Sequence, residues 1–240
     1  GGLEYRVIKK MLPDRPLDIE MTMNAHPMAS DTLFGALSAR AERIKDEEGG
    51  LAARLYTRCA IDDAERHEYF TRMGFDDYDG VELFVLNVPQ DLSLRRRNYS
   101  PVGTKSIDVD LRTRTRREEF LLGLKEFGCV EHASEWLEER RRGPVFMAKA
   151  TYFGSDYVGS MLVTGTQAEA VLEMICVEQK WRGRGVASAL VDEALVQLSK
   201  QQVPHIVARA VRRNASAMKF FKRSGFDWVR TEEYLLGRDM

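Results

Sequence analysis

Apolar residues recur along the last 140 positions in two alternating periods, of about two residues and of about 3.6, which mark strands and amphipathic helices. The pattern predicts a strand over about 105–111, helices over about 114–127 and 130–142, and strands at about 145–153 and 156–164. The turn Gly154-Ser-Asp156 joins the last two as a hairpin. A strand over 170–177, a helix over 184–200, a strand over 204–211, a helix over 214–224 and a final strand after Phe226 follow. Val171-Leu-Glu-Met-Ile-Cys-Val177 is almost continuously apolar, as expected of a central strand covered on both faces, and Glu173 alone interrupts it. In the next helix Ala187, Leu190, Val191, Ala194, Leu195 and Leu198 form one stripe, with Asp192, Glu193, Gln197 and Lys200 opposite. Strands interleaved with helices imply an α/β (mixed α+β) fold, a central mixed sheet flanked by helices.

The chain also matches itself. Asp63, Tyr69, Phe70, Gly74 and Phe75 correspond to Asn214, Phe220, Phe221, Gly225 and Phe226 at an offset of 151 residues. At an offset of 153, Ile19-Glu-Met21 corresponds to Leu172-Glu-Met174, and a helix from about Ser30 to Lys45 corresponds to the one after Gly185. The order strand, loop, helix, strand, helix, strand therefore occurs twice. The earlier copy begins at the equivalent of the strand near Tyr157 and has no counterpart of residues 104–155. Asn87 to Gly103 contains two prolines, many polar residues and no periodicity. The organisation expected is a partial first unit over 1–88, a linker over 89–103 and a full second unit over 104–240.

A length of 240 residues allows one large core or two small ones. With 36 basic and 37 acidic residues the formal net charge is -1, so no overall field favours nucleic acid or an anionic membrane. Arg95 to Arg97 and Arg140 to Arg142 read as solvated segments. No apolar run reaches the length of a membrane span and no secretory pattern opens the chain, which leads us to expect a cytoplasmic protein. Gly1-Gly2 reads as a processed end or a tag remnant. Cys59, Cys129 and Cys176 are odd in number and lack a C-x-x-C pair, so we expect reduced, buried thiols. His26, His67, His132 and His205 show no ligand spacing, so no metal is expected.

Chemistry concentrates between the apolar strand and the stripe-bearing helix, at Gln179-Lys-Trp-Arg-Gly-Arg-Gly-Val-Ala187. Gly183 and Gly185 permit backbone conformations closed to other residues, and the first amides of the helix carry the positive end of its dipole. With Arg182 and Arg184 beside them, these amides suit a pyrophosphate. The equivalent stretch of the first copy, Asn24 to Thr32, lacks a glycine pair, places Asp31 where Arg184 stands, and loses one donor at Pro27. It is expected not to bind.

Arg182-Gly-Arg-Gly185-Val-Ala187 fits the pattern Arg/Gln-x-x-Gly-x-Gly/Ala, and Asn214 to Phe226 lies about thirty residues on. Together they resemble the two motifs of the GNAT acyltransferase superfamily, over about residues 104–240, in a tandem arrangement with a degenerate N-terminal half-unit. The resemblance implies a GNAT-type fold binding acetyl-CoA or another acyl-CoA through a splayed central strand. Its pantetheine arm would lie along Ile175, Cys176 and Val177, and its pyrophosphate against Arg182, Gly183, Arg184, Gly185, Val186, Ala187 and Ser188. Asn214 and Phe221 would face the cofactor. Glu173 matches an acidic position that would act as base, directly or through a water, with an ion pair to an arginine as its alternative role. Phe221 replaces a tyrosine usually taken as the acid for the leaving thiolate, for which Tyr152, Tyr157, Ser224 and Tyr234 are substitutes. Lys219, Lys222 and Arg223 either meet a nucleotide phosphate or stand in solvent.

The activity expected is N-acyl transfer, in the first instance acetyl transfer, to a primary amine of a small molecule or peptide. No metal, nucleic acid or membrane takes part, and a homodimer is one arrangement. A non-catalytic acyl-CoA-binding or regulatory protein is the alternative. A nucleotide binder of another α/β family is disfavoured, since neither Gly-Lys-Ser/Thr nor G-x-G-x-x-G follows a strand.

Overall fold

A computed structural model describes residues 1–7, 14–91, 100–125 and 133–240. The Arg95–Arg97 cluster at the centre of the expected linker, the ends of the two helices predicted to meet near 127–130, Cys129 and His132 lie outside the described residues.

The first copy contributes β1 (Gly2–Val7), β2 (Leu17–Thr22), α1 (Pro27–Glu47), β3 (Ala53–Ala60), α2 (Ala64–Arg72) and β4 (Asp76–Asn87). The second contributes β5 (Thr104–Asp108), α3 (Arg114–Lys125), α4 (Ser134–Arg141), β6 (Val145–Phe153) and β7 (Asp156–Gly165). It continues with β8 (Ala170–Val177), α5 (Val186–Lys200), β9 (His205–Val211), α6 (Ala215–Arg223) and β10 (Asp227–Asp239). Within the described residues every predicted element of the second copy is present, with ends displaced by up to four residues. No described helix is long and apolar enough to cross a membrane.

One expectation fails at the start of α1. The stretch Asn24–Thr32 is not a loop throughout, because the helix begins at Pro27, three residues before Ser30. Proline suits the first helical position, where an N–H has no intrahelical partner, and the His26 side chain accepts from the Met28 amide at 3.4 Å. Asp192, expected on the solvent side of α5, is buried, because that helix is covered over more of its circumference than its apolar stripe spans.

The chain divides into two compact units, and each is assembled from more than one segment. Unit 1 holds Gly1–Glu82, Ala210–Met218 and Arg230–Met240, and unit 2 holds Leu83–Arg209 and Lys219–Val229. This departs from the expected boundaries at 88 and 104, for a reason visible in the strand order. In unit 1 the order is β1-β2-β3-β10, and β10 pairs antiparallel with β3 from Glu233↔Ala60 to Asp239↔Arg54. The terminal strand of the second copy thus completes the sheet of the first. In unit 2 the last part of β4 lies beside β9, ahead of β8, β7, β6 and β5. Val88, just past β4, donates from its amide to the Pro204 carbonyl at 2.8 Å.

The two copies share their wiring. β1 and β2 are antiparallel and β2 and β3 parallel, as are β7 with β8 and β8 with β9. The pair Leu17↔Ala53 recurs as Ala170↔Ile206 at the 153-residue offset. Helix α2 is capped by Asp63, whose carboxylate accepts from the Arg66 amide at 3.1 Å, and α6 by Asn214, which accepts from the Ala217 amide at 3.1 Å. Both helices end on a left-handed glycine, Gly74 or Gly225, with the following phenylalanine amide bonded back to Phe70 or Phe221.

Unit 1 buries Leu17, Ile19, Met21, Leu55, Phe70 and Phe75 in one cluster, joined by Leu236 of β10. Beside it lies a charged cluster. Arg54 is 2% exposed and bonds both Asp18 and Asp79, the latter at 3.2 Å, while its guanidinium lies 4.4 Å from the centre of the Tyr56 ring. Arg54→Ala removes the buried cation that Asp18 and Asp79 share, leaving Asp18 with Arg6 at 3.1 Å and Asp79 with the Gly80 and Arg213 amides, and is expected to lower stability by about 3–5 kcal/mol. The check is the urea midpoint followed by far-ultraviolet circular dichroism, and an unchanged midpoint would show that water or Arg6 takes over the charge.

Candidate functional site

The site begins with two irregularities in β8. Against β7 the register runs Leu162↔Met174 and then Val163↔Leu172, so Glu173 is the extra residue of a bulge. Regular alternation would put Glu173 on the opposite face from Met174. Instead the Thr164 hydroxyl donates to its Oε1 at 2.5 Å, and Thr164 stands two residues from Leu162, on the same face of β7. Leu162, Met174 and Cys176 pack there with Leu121, Leu124 and Leu137 of α3 and α4. Glu173 lies two residues from Val171, the partner of Thr164, and so already shares the Thr164 face; the bulge brings Met174 onto that face as well, beside the helices. A hydroxyl, among the described residues, meets the carboxylate where an arginine was the alternative expected.

The second irregularity is on the other edge. Parallel pairing with β9 covers Ala170↔Ile206, Val171↔Val207 and Leu172↔Ala208, while β8 itself continues to Val177. From Glu173 onward, peptide groups that β8 turns toward that side have no strand to meet. Ile175 and Val177 are half-buried and Cys176 is buried, in no disulfide, like Cys59.

Beyond Val177 a 3-10 turn (Gln179–Trp181) leads into the glycine pair, and both glycines take the left-handed conformation, φ +74° at Gly183 and +88° at Gly185. Gly185 is the N-cap of α5, and no side chain caps that end. The first intrahelical bond runs from the Ala189 amide to the Gly185 carbonyl, which leaves the amides of Val186, Ala187 and Ser188 without helical acceptors. No acidic residue lies in the first turn. These N–H groups, the helix dipole and two arginines have the chemistry that suits an anion. The Arg182 Nε donates to the Val177 carbonyl at 3.0 Å and ties the loop to the end of β8.

The structure brings Glu173, Ile175 to Val177 and Arg182 to Ser188 together within unit 2. Asn214 lies in the Ala210–Met218 segment of unit 1, where it caps α6. Phe221 is 4% exposed and packs on Phe84, Phe220 and Phe226, with ring centres at 5.1, 5.4 and 5.2 Å. Lys219, Lys222 and Arg223 are exposed. Tyr157 donates to the Ser160 hydroxyl at 2.7 Å, and burial holds its phenol well above the ordinary value, hence protonated. It lines a cavity of about 570 Å³ with Tyr152, Phe120, Arg116 and Glu178. Tyr234 lies in unit 1, beside His67. Sequence reasoning missed Thr164 and the bulge, for which alternation carried no signal.

The first copy has the same strands without the bulge. β1 and β2 pair without interruption from Gly2↔Thr22 to Val7↔Leu17, and the β2–β3 ladder extends one residue further, to Glu20↔Tyr56. Glu20, the equivalent of Glu173, accepts from the Tyr56 hydroxyl and from Arg58, both at 2.9 Å. The β2–β3 ladder stops two residues before β2 ends, against five in β8, and the Glu20 carboxylate is engaged.

Comparison with known proteins places these features. No curated protein matches the sequence. The acetyltransferase (GNAT) family matches over residues 112–226. Among solved structures, a GCN5-related N-acetyltransferase from Sphaerobacter thermophilus superposes with a TM-score of 0.55 at 15% identity, over 99% of this chain and 76% of that one. A tandem GNAT protein from the clavulanic acid biosynthesis pathway gives 0.53 at 15% identity, over 92% and 75%. A GCN5-related N-acetyltransferase from Kribbella flavida gives 0.50 at 11% identity, over 92% and 80%. The open edge of β8, the glycine loop and the uncapped α5 all fall within residues 112–226, which match the acetyltransferase (GNAT) family, and the mixed α/β fold is one shared with GNAT proteins that include a tandem one.

Proposed function

We propose that unit 2 transfers an acyl group, acetyl in the first instance, from acyl-coenzyme A to a primary amine of a small molecule or peptide. The observation that carries this reading is the continuity of an unpaired strand edge, Glu173–Val177, with the free amides at the start of α5. An extended molecule with amide groups at one end and a diphosphate at the other satisfies both. Pantetheine would replace β9 beside Ile175, Cys176 and Val177, and the diphosphate would sit against Gly183 to Ser188 with Arg182 and Arg184. Asn214 and Phe221 enter on family resemblance alone.

In the reaction the neutral amine attacks the thioester carbonyl, the C–N bond forms, the C–S bond breaks with the thiolate as leaving group, and the nitrogen passes its extra proton to water as the amide forms. An alkylamine of pKa about 10.4 is protonated at neutral pH, so a base must take one proton before attack. Glu173 is the base in this proposal, acting directly or through a water, with the Thr164 hydroxyl fixing one of its oxygens. Phe221 offers no proton to the departing sulfur. A thiol of pKa about 8.5 leaves as an anion at neutral pH for about 2 kcal/mol more than matched protonation, so the reaction proceeds without a dedicated acid. That same phenylalanine supports a second reading, a protein that binds acyl-coenzyme A and does not turn it over.

Incubation with acetyl-coenzyme A and a panel of primary amines is expected to release free thiol, and binding without release would establish the second reading. Glu173→Gln should lower turnover by about 10²–10⁴-fold while coenzyme A affinity changes by less than about threefold. Equal loss of both would make Glu173 structural. Gly185→Asp adds a side chain at φ +88° and a negative charge at the anion site, and calorimetry is expected to find no remaining coenzyme A binding. The unaltered chain should bind about one equivalent, because the first copy lacks the glycine loop and leaves only two residues of β2 beyond its ladder to β3; two equivalents would restore that copy as a site.

A further inference from the structure

Of the two loop arginines, Arg182 spends its Nε on the Val177 carbonyl. Arg184, one residue before the cap of α5, has no carboxylate partner among the described residues and is held by an aromatic ring instead. Its guanidinium carbon lies 5.2 Å from the centre of the Trp181 ring. Trp181 in turn meets the ring of Phe153 at 5.3 Å and a tilt of 43°. Phe153 ends β6 and remains 46% exposed, with Gly103 beneath it so closely that a Cβ there would come within 2.7 Å of the ring. An ion pair between Lys180 and Asp156, at 3.1 Å, ties the same hairpin to the same loop. The Trp181 Nε1 is buried without a hydrogen-bond partner, a cost that a smaller apolar residue would avoid. A structure that only needed filling here would favour leucine or phenylalanine. The large, electron-rich indole face is the property that remains in use, and it is turned to a cation.

We infer that Trp181, braced by Phe153 from the β6–β7 hairpin, is a positioning residue for coenzyme A binding: it holds the Arg184 guanidinium beside the free amides of α5 for the diphosphate. The inference rests on the acyl-coenzyme A reading above. A guanidinium on a free three-carbon stem loses side-chain entropy when it binds an anion. One already laid over a ring has lost part of it before the ligand arrives, so the stack strengthens binding through Arg184 and through no other group.

The test is a double-mutant cycle read by calorimetry with coenzyme A. Trp181→Leu is expected to weaken binding about three- to tenfold, within the range of one partly exposed cation–π contact. Arg184→Gln should weaken it by at least as much, and adding Trp181→Leu to Arg184→Gln should cost nothing further. Trp181→Phe, which keeps an aromatic face, should restore most of the affinity, and saturating acyl-coenzyme A should return kcat to that of the unaltered chain. Phe153→Ala, a change at a half-exposed ring that the fold tolerates, should give a smaller loss that also vanishes in the Arg184→Gln background. Losses that add in full, with either Trp181→Leu or Phe153→Ala, would mean that the stack supports the loop independently of Arg184 and would overturn the inference. If the unaltered chain fails to bind coenzyme A at all, the acyl-coenzyme A reading falls and takes this inference with it, whereas intact binding with additive losses removes only the inference.

Discussion

Backbone pairing between β8 and β9 stops at Leu172 and Ala208, five residues before β8 ends. Peptide groups inside a protein need partners, and an interior strand edge left open is costly unless water or a ligand meets it. The rest of the site follows from that opening. The edge leads through Val177 into a loop whose two glycines are left-handed, and the loop delivers the uncapped first turn of α5 to the same end of the strand. Extended backbone for an extended ligand, and helix amides for an anion, then lie in sequence along one path.

The bulge at Glu173 belongs to the same departure from regular pairing. One extra residue against Leu162 and Val163 puts the carboxylate and Met174 on one face, where the Thr164 hydroxyl donates to the carboxylate. The first copy shows what happens without these changes. There β1, β2 and β3 pair without a bulge, Glu20 is engaged by Tyr56 and Arg58, and α1 starts at Pro27 under a His26 cap. Its architecture is retained without the bulge, the glycine pair or the five-residue open edge. Its retained value is structural: β3 gives β10 a partner, and Leu236 enters the core formed by Leu17, Ile19 and Phe70.

Much of this was legible in the chain. The alternation and the 3.6-residue stripes located the elements of the second copy, because local apolar periodicity reflects which face each residue buries. Gly183 and Gly185 located the left-handed turn ahead of α5, because only a few residue types tolerate that backbone beside a helix start. The 151- and 153-residue offsets identified the repeat, and pairs such as Leu17↔Ala53 and Ala170↔Ile206 follow the same spacing. Asp192 was misplaced since a stripe reports one buried face and says nothing of cover arriving from another element.

By itself the sequence determined element type and order, the loop chemistry and the existence of two related copies, all of which depend on residues near one another in the chain. Only the tertiary structure decided that Glu173 is bulged and bonded to Thr164, that Arg182 is tied to Val177, and that β10 pairs with β3 rather than staying within its own copy. These are choices of register and partner between segments distant in sequence. Each is set by which edge is free and which face is already covered, and such competition leaves no periodic mark on either strand.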